Sequence, residues 1–323
     1  MEPAFPPLPR ETDHEGRRRK TGVELEFSGL DIDETARIAA EALDGHAVQT
    51  ADREWEVRGS SIGILEIYLD TALRHAEPSR LRDIGLDLGK EVIPVEIVSE
   101  PLTFEGLADI DRLRVALREA GAEGTRAGLA YGFGLHLNPA LAGTEAKHIA
   151  HPLYAYALIE DWMRDNRPID PSRRLLPFTD PYPTKLLQAF CDEGFVTPER
   201  AMDIYLDKAP SRNYGLDMLP IFAWLDADAV DRATGGESAV KGRPAFHFRL
   251  PDCQIDNPEW SIRQEWGRWR MVEQVAEDEG LLARLMKEWD DAHHRVTLRR
   301  RPWAERCGDI LAEAGLLKDE AAA

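Results

Sequence analysis

Four short segments of this chain share a pattern that few folds accommodate. Val23, Leu25 and Phe27 alternate with Glu24, Glu26 and Ser28, which is the period-two spacing of a strand with one apolar face. Glu96 stands between Val95 and Ile97. His136 and Asn138 oppose Leu135 and Leu137, and His247 and Arg249 oppose Phe246, Phe248 and Leu250. Side chains two apart on a strand share a face. If the four segments join one sheet, its apolar side packs on helices, and its other side gathers Glu24, Glu26, Glu96, His136, Asn138, His247 and Arg249. Any one of these strands reads equally well as half-exposed sheet alternating apolar with polar residues. Solvated strand faces favour Thr, Ser, Lys and Arg, however, whereas carboxylate and imidazole groups are the donors a divalent cation takes. Two carboxylates about 7 Å apart repel by roughly 0.6 kcal/mol in water and about 2 kcal/mol at an effective dielectric near 20. In a cavity, Glu24 and Glu26 therefore favour a bound cation or a raised pKa.

Between these segments the pattern is mixed. The spacing predicts a helix over Asp31–Asp44, a hairpin from Arg53–Arg58 and Ile62–Leu69, and a helix over Leu73–Leu88. A strand over Val92–Ser99, a helix over Leu107–Ala120 and an extended run over Leu129–Leu137 follow. Residues 149–233 read as mainly helical, broken by a proline-rich loop at Leu176–Pro183. Pro244–Leu250 reads as one more strand, and the chain from Pro258 onward as helices carrying Trp260, Trp266, Trp269 and Trp289, which at helical spacing suit a core. Strands cluster early, helices late, and a late strand must rejoin the sheet: the class is α+β. Residues 1–20 hold several prolines and charges without apolar period and predict a mobile arm ending in the basic run Arg17–Lys20, a solvated lead-in to the first strand.

Composition excludes some functions. The 323 residues carry 40 Lys and Arg against 59 Asp and Glu, a net charge of −19, which argues against broad binding of nucleic-acid backbones. Cys191, Cys253 and Cys307 are too scattered for a zinc knuckle or a disulfide framework and have no histidine nearby in sequence, so nucleophilic thiol chemistry lacks support. No apolar stretch is long enough to cross a membrane and no signal peptide opens the chain, so a cytoplasmic protein with no membrane partner is the expectation. No GxxxxGK[ST] or GxGxxG motif occurs. Gly235-Gly236 before Lys241 and Arg243 could close over phosphates or form a surface turn. His293 and His294 are adjacent on a helix and so face apart.

Gly22-Val23-Glu24-Leu25-Glu26-Phe27 resembles the G-x-E-x-E-F opening of the amidoligase family, whose relatives are glutamine synthetase and glutamate–cysteine ligase. Glu96–Leu102 is similar to the family's strand ending E-[LI]-V-S-P-P-L, Gly134–Asn138 to its G-x-H-x-[HN] strand, and Phe246–Pro251 to its late E-F-R-[LM]-x strand. The motifs occur in family order over about residues 21–255, leaving 256–323 as a C-terminal helical extension packed on that domain. The resemblance implies a glutamine synthetase-like fold, in which a curved, mostly antiparallel sheet forms an active-site funnel with helices on its other face. It also implies ATP and Mg²⁺ or Mn²⁺ as cofactors, and formation of an amide from small-molecule or peptide carboxylate and amine substrates through an acyl phosphate. By the same analogy Glu24, Glu26, Glu96 and His136 are candidate metal ligands and Arg249 a candidate catalytic residue; His247 joins the candidate ligands and Glu26 the candidate catalytic residues. Arg249, Arg212, Lys241 and Arg243 are the candidate cofactor contacts, with Asn213, Tyr214 and Lys185 as weaker ones. Three departures stand out. His247 occupies a position where the family carries Glu, which removes a negative ligand and shifts preference towards Mn²⁺ or empties a site. Glu100 replaces the first proline of the P-P pair, as an extra ligand or a loop residue, and Arg58-Gly59-Ser60 replaces an Asp-Gly-Ser turn. Two alternatives stay open: a metal-dependent amide or ester hydrolase, and a non-catalytic nucleotide- or peptide-binding protein on a decayed ligase scaffold. Relatives that assemble leave an oligomer open too.

Overall fold

The computed structural model describes residues 5–69, 93–128, 132–174, 179–236, 240–293 and 300–317. The helix expected over Leu73–Leu88, the first residues of two expected strands, part of the loop at 176–183 and His294 lie outside them.

Among the described residues, an open, wholly antiparallel eight-stranded sheet organises the chain. Its strands are β1 (Thr21–Phe27), β2 (His46–Ala51), β3 (Glu54–Ser60), β4 (Gly63–Leu69), β5 (Val95–Ser99), β6 (Leu135–Pro139), β7 (Leu216–Asp217) and β8 (His247–Phe248), in the order β2-β3-β4-β5-β1-β6-β8-β7. The described helices are α1 (Ile32–Ala42), α2 (Leu107–Glu119), α3 (Ala146–Asn166), α4 (Pro171–Arg174), α5 (Thr184–Glu193), α6 (Pro198–Lys208), α7 (Leu219–Leu225), α8 (Ala227–Thr234), α9 (Ile262–Glu277), α10 (Glu279–His293) and α11 (Arg300–Glu313). This is a mixed α/β fold; β2 has no counterpart in the sequence pattern, and β7 lies within the stretch expected to be mainly helical.

Register decides what the sheet presents. Glu24 lies opposite His136 on β6 and Val98 on β5, while Glu26 lies opposite Glu96. Across the outer strands Glu96 faces Tyr68 and Val98 faces Glu66. On the far side His247 faces Asp217. Directly opposed residues share a face, so one side of the sheet is polar from β4 to β7. The other side carries Val23, Leu25, Phe27, Leu65, Ile67, Val95, Ile97, Leu135, Leu137, Phe246 and Phe248, all buried. Helix α1 packs on this apolar side at β3 and β4 and is itself backed by α2. At the other end Trp269 of α9 stacks at a tilt on Phe246 and Phe248, and Tyr156 of α3 meets Phe248 edge-on. Helices α9, α10 and α11 all pack along α3. Trp260, Trp266, Trp269, Trp289 and Trp303 are buried there, where aromatic area contributes most to the core.

Two expectations need correction. The strand over Pro244–Leu250 pairs as a ladder only at His247–Phe248, extended by single bridges from Ala245 to Ala140 and from Asp252 to Gly134. Arg173 of α4 takes the carbonyls of Arg249, Leu250 and Pro251, so a guanidinium holds the backbone where a strand would otherwise continue. The arm expected to be mobile packs against α9 from residue 5 onward. Phe5 and Leu8 are buried, Trp266 donates to the Pro6 carbonyl at 2.7 Å, and Arg270 donates to that of Pro7 at 2.9 Å. Within the basic run Arg17 and Arg18 are exposed, but Arg19 is buried and forks onto both oxygens of Glu273 at 2.7 and 2.8 Å. Proline and charge counts carry no trace of a buried partner 254 positions away.

Removing one member of a buried pair strands the other charge. Arg19→Met is therefore expected to destabilise the protein by about 3–5 kcal/mol, and Arg18→Met by less than about 0.5 kcal/mol. Urea unfolding of the two variants checks this contrast; equal losses would contradict the assignment of Arg19 to the core.

Candidate functional site

The polar face narrows to a connected cluster where β1, β6, β8 and β7 meet. Glu24 is its hub. Its Oε2 meets His136 Nδ1 at 2.8 Å, and its Oε1 accepts from Asn138 Nδ2 at 2.8 Å. Asn138 Oδ1 in turn accepts from Arg243 Nη2 at 2.7 Å, and that guanidinium stands 3.9 Å from Glu24 Oε1. His247 Nε2 lies 3.9 Å from Glu24 Oε2, and the two imidazoles meet edge-on with centroids 5.2 Å apart. Glu26 Oε2 accepts the Gly134 N–H at 2.7 Å, leaving Oε1 at 3.8 Å from His136 Nε2.

Electrostatics follow from burial and partners. Burial opposes ionisation of Glu24, but the hydrogen bond from His136 and the nearby Arg243 guanidinium outweigh it and hold its carboxyl far below the ordinary range. Burial lowers His247 to about 4, against the opposing pull of Asp217 and Glu24, so this ring is neutral at pH 7. Asp217, fully buried, stays ionised because the His247 hydrogen bond and the charges of Arg212 and Arg249 exceed its burial penalty.

Glu24, His136 and His247 each offer one donor atom, and the three atoms lie within 4.8 Å of one another. His247 Nε2 is buried and has no hydrogen-bond partner. A buried acceptor with nothing to accept from costs about 1–3 kcal/mol, and an ion at the centre of the three donors would satisfy it. The residues fit a divalent metal. Among the described residues this is the one such group, and it does not extend to Glu26 or Glu96. Those two face each other across β1 and β5, next to the group.

The other sequence candidates separate. Arg249 lies on the polar face beside the cluster, with Nη1 donating to the Arg212 carbonyl at 3.1 Å, and burial lowers its pKa. Arg212 is half exposed and turned back onto Asp217 at 3.1 Å, so it reaches the cluster only through that carboxylate. Lys241 and Lys185 are exposed. Tyr214 packs among Tyr182 and Tyr205. Gly235, in the left-handed conformation, closes α8, so the glycine pair acts as a helix stop. Glu100 is an exposed loop residue whose carboxylate accepts the Ile64 N–H at 3.2 Å, and Arg58 pairs with Glu56 at 2.7 Å on the strand surface. Burial raises all three thiols, Cys191 to about 12, which removes them as nucleophiles at neutral pH. His293 stacks on Trp289.

Two residues escaped sequence reasoning. Asp217 precedes a Leu-Pro helix start and reads as a turn residue, while Arg173 lies in a short polar run; neither carries a sign of its long-range partner. Two cavities of about 380 and 310 Å³ lie elsewhere, the first lined by Asp161, Arg164 and Arg300, the second by Arg167, Asp252 and Gln264. Neither is lined by the residues of the cluster.

Gly134 is where the backbone must approach closely. A Cβ there would stand 2.5 Å from Arg173 Nη2 and 2.8 Å from His136 Nε2, whereas one on Gly22 would meet only the Asn138 side chain at 3.5 Å. Gly134→Ala is expected to destabilise by about 1–3 kcal/mol and to shift the His136 imidazole resonances in an NMR spectrum, with Gly22→Ala leaving them in place. Unperturbed His136 signals in Gly134→Ala would contradict this packing.

A family model described as "putative amidoligase enzyme" matches residues 17–271, from the basic run into α9. No curated protein and no solved structure matches the chain. No described helix is long and apolar enough to cross a membrane.

Proposed function

The chain belongs to the amidoligase family, and on that premise we propose that it joins a carboxylate to an amine, coupled to ATP cleavage through an acyl phosphate, on a glutamine synthetase-like sheet. The observation that carries this reading is the meeting of Glu24, His136, His247, Arg243 and Arg249 on one sheet face, with Glu26 and Glu96 beside them, inside the matched segment.

A carboxylate does not condense with an amine in water unless it is activated, and phosphoryl transfer is catalysed mainly by positioning and charge neutralisation. A divalent ion, Mg²⁺ or Mn²⁺, would supply charge neutralisation at the triphosphate when bound. Glu24, His136 and His247 would hold it, with Glu26 and Glu96 close enough to take part. Arg249, just after β8, stands near His247, and Arg243, in the loop before β8, bonds Asn138 beside Glu24; their planar guanidinium groups match the spreading equatorial charge of a transferring phosphoryl group. Glu26 is anchored through Oε2 to a backbone N–H, which fixes Oε1 in place to take the proton that an attacking amine releases. Lys241, at the exposed end of the same loop, would meet the nucleotide only if the loop folds inward.

One observation favours a second reading. Two imidazoles and one carboxylate are also the ligand set of metal-dependent hydrolases, which would turn over an amide or ester without nucleotide.

Purified protein supplied with ATP, a divalent ion and a panel of acids and amines is expected to release ADP only when both an acid and an amine are present. Glu24→Gln should lower that rate on the order of 10²–10³-fold. Amide hydrolysis without ATP would favour the hydrolase. Metal-dependent nucleotide binding that survives Glu24→Gln and Glu26→Gln together would contradict the assigned ligands.

A further inference from the structure

His247 is held as a ligand by a residue that the motifs do not include. Its Nδ1 lies 3.3 Å from Asp217 Oδ2. Asp217 is completely buried, and its Oδ1 accepts the Leu219 N–H at 3.0 Å while Arg212 Nε donates to Oδ2 at 3.1 Å. A carboxylate in that setting can only accept, so Nδ1 must carry the ring proton. With the proton on Nδ1, Nε2 is the nitrogen left to bind a metal, and it is the atom that faces Glu24 at 3.9 Å and has no hydrogen-bond partner of its own. A carboxylate on the far nitrogen of an imidazole is the arrangement that orients histidine ligands and raises their basicity towards a metal.

The donor set also decides which ion fits. Mg²⁺ takes oxygen ligands in near-ideal octahedral geometry, whereas first-row transition ions, Mn²⁺ the weakest of the divalent series among them, accept imidazole nitrogen more readily than Mg²⁺ does. The group here offers two imidazoles and a single carboxylate. We propose that Asp217 is a positioning residue that fixes the His247 tautomer, and that Glu24, His136 and His247 thereby form a nitrogen-rich centre selecting a transition ion such as Mn²⁺ over Mg²⁺. This deepens the metal-dependent reading of the same face and rests on it, but requires neither ATP nor any particular substrate.

The test uses the full chain stripped of metal by a chelator. Electron paramagnetic resonance titration of Mn²⁺, with Mg²⁺ as competitor, is expected to show Mn²⁺ binding at least about tenfold tighter. Pulsed measurements on the Mn²⁺ form should resolve two directly bound imidazole nitrogens, and His247→Gln should leave one. Asp217→Asn, which keeps an oxygen for the Leu219 N–H, should weaken Mn²⁺ by about 10–100-fold. It should change Mg²⁺ affinity far less, and circular dichroism would confirm that the variant is folded. Equal affinities for the two ions, fewer than two nitrogen couplings in the unmutated protein, or an unaltered Mn²⁺ affinity in folded Asp217→Asn would each overturn the proposal. Absence of ADP release alongside the expected metal data would instead count against the ligase reading alone.

Discussion

Strand register is the constraint on which the rest of this molecule depends. The side-chain period of a strand is two, so sliding β1 by one residue against β5 and β6 would drive Glu24 and Glu26 into the layer now filled by Leu25 and Phe27. Burying ionised carboxylates without partners costs several kcal/mol each, and exposing Val23, Leu25 and Phe27 would forfeit roughly 1.5–3 kcal/mol per side chain. The apolar pattern that builds the core therefore also aims the acidic and imidazole groups, and the two functions cannot be separated by mutation of the backbone pairing.

Register alone would bring like charges together. What makes the face tolerable is a set of specific partners. Glu24 is neutralised by the hydrogen bonds of His136 and Asn138 and by Arg243, and Asp217 by Arg212, the Leu219 N–H and His247. These contacts join elements far apart in sequence, so the cluster exists only in the folded chain. His247 Nε2, like Arg243 Nε, is a buried nitrogen with no hydrogen-bond partner. Native proteins rarely retain such an atom without a use for it.

Sequence periodicity located β1, β5, β6 and the hairpin of β3 and β4, because each has an apolar face over several residues. It missed β2, whose residues His46–Ala51 are mostly exposed and so leave no alternation to read. It overextended β8, where the Arg173 guanidinium takes the carbonyls of Arg249 and Leu250 and shares that of Pro251 with the Leu135 N–H. The arm was misread for a related reason: Phe5, Leu8 and Arg19 are anchored by α9, and burial against a distant helix has no local signature. The site residues on β1, β6 and β8 were legible as a face, and the family match covers all of them. Asp217 and Arg173 were not, since their roles consist of contacts to residues 30 and 76–79 positions away.

On the proposed function, this polar face is the meeting place of a divalent ion and the phosphates of a nucleotide. Anomalous diffraction at the manganese edge, from crystals of the full chain grown with Mn²⁺ and a non-hydrolysable ATP analogue, addresses it directly. An anomalous peak bonded to Glu24, His136 and His247 is expected, with phosphate oxygens beside Arg243 and Arg249. A nucleotide seated instead in the cavity lined by Asp161, Arg164 and Arg300, or an ion bound away from the sheet, would contradict it.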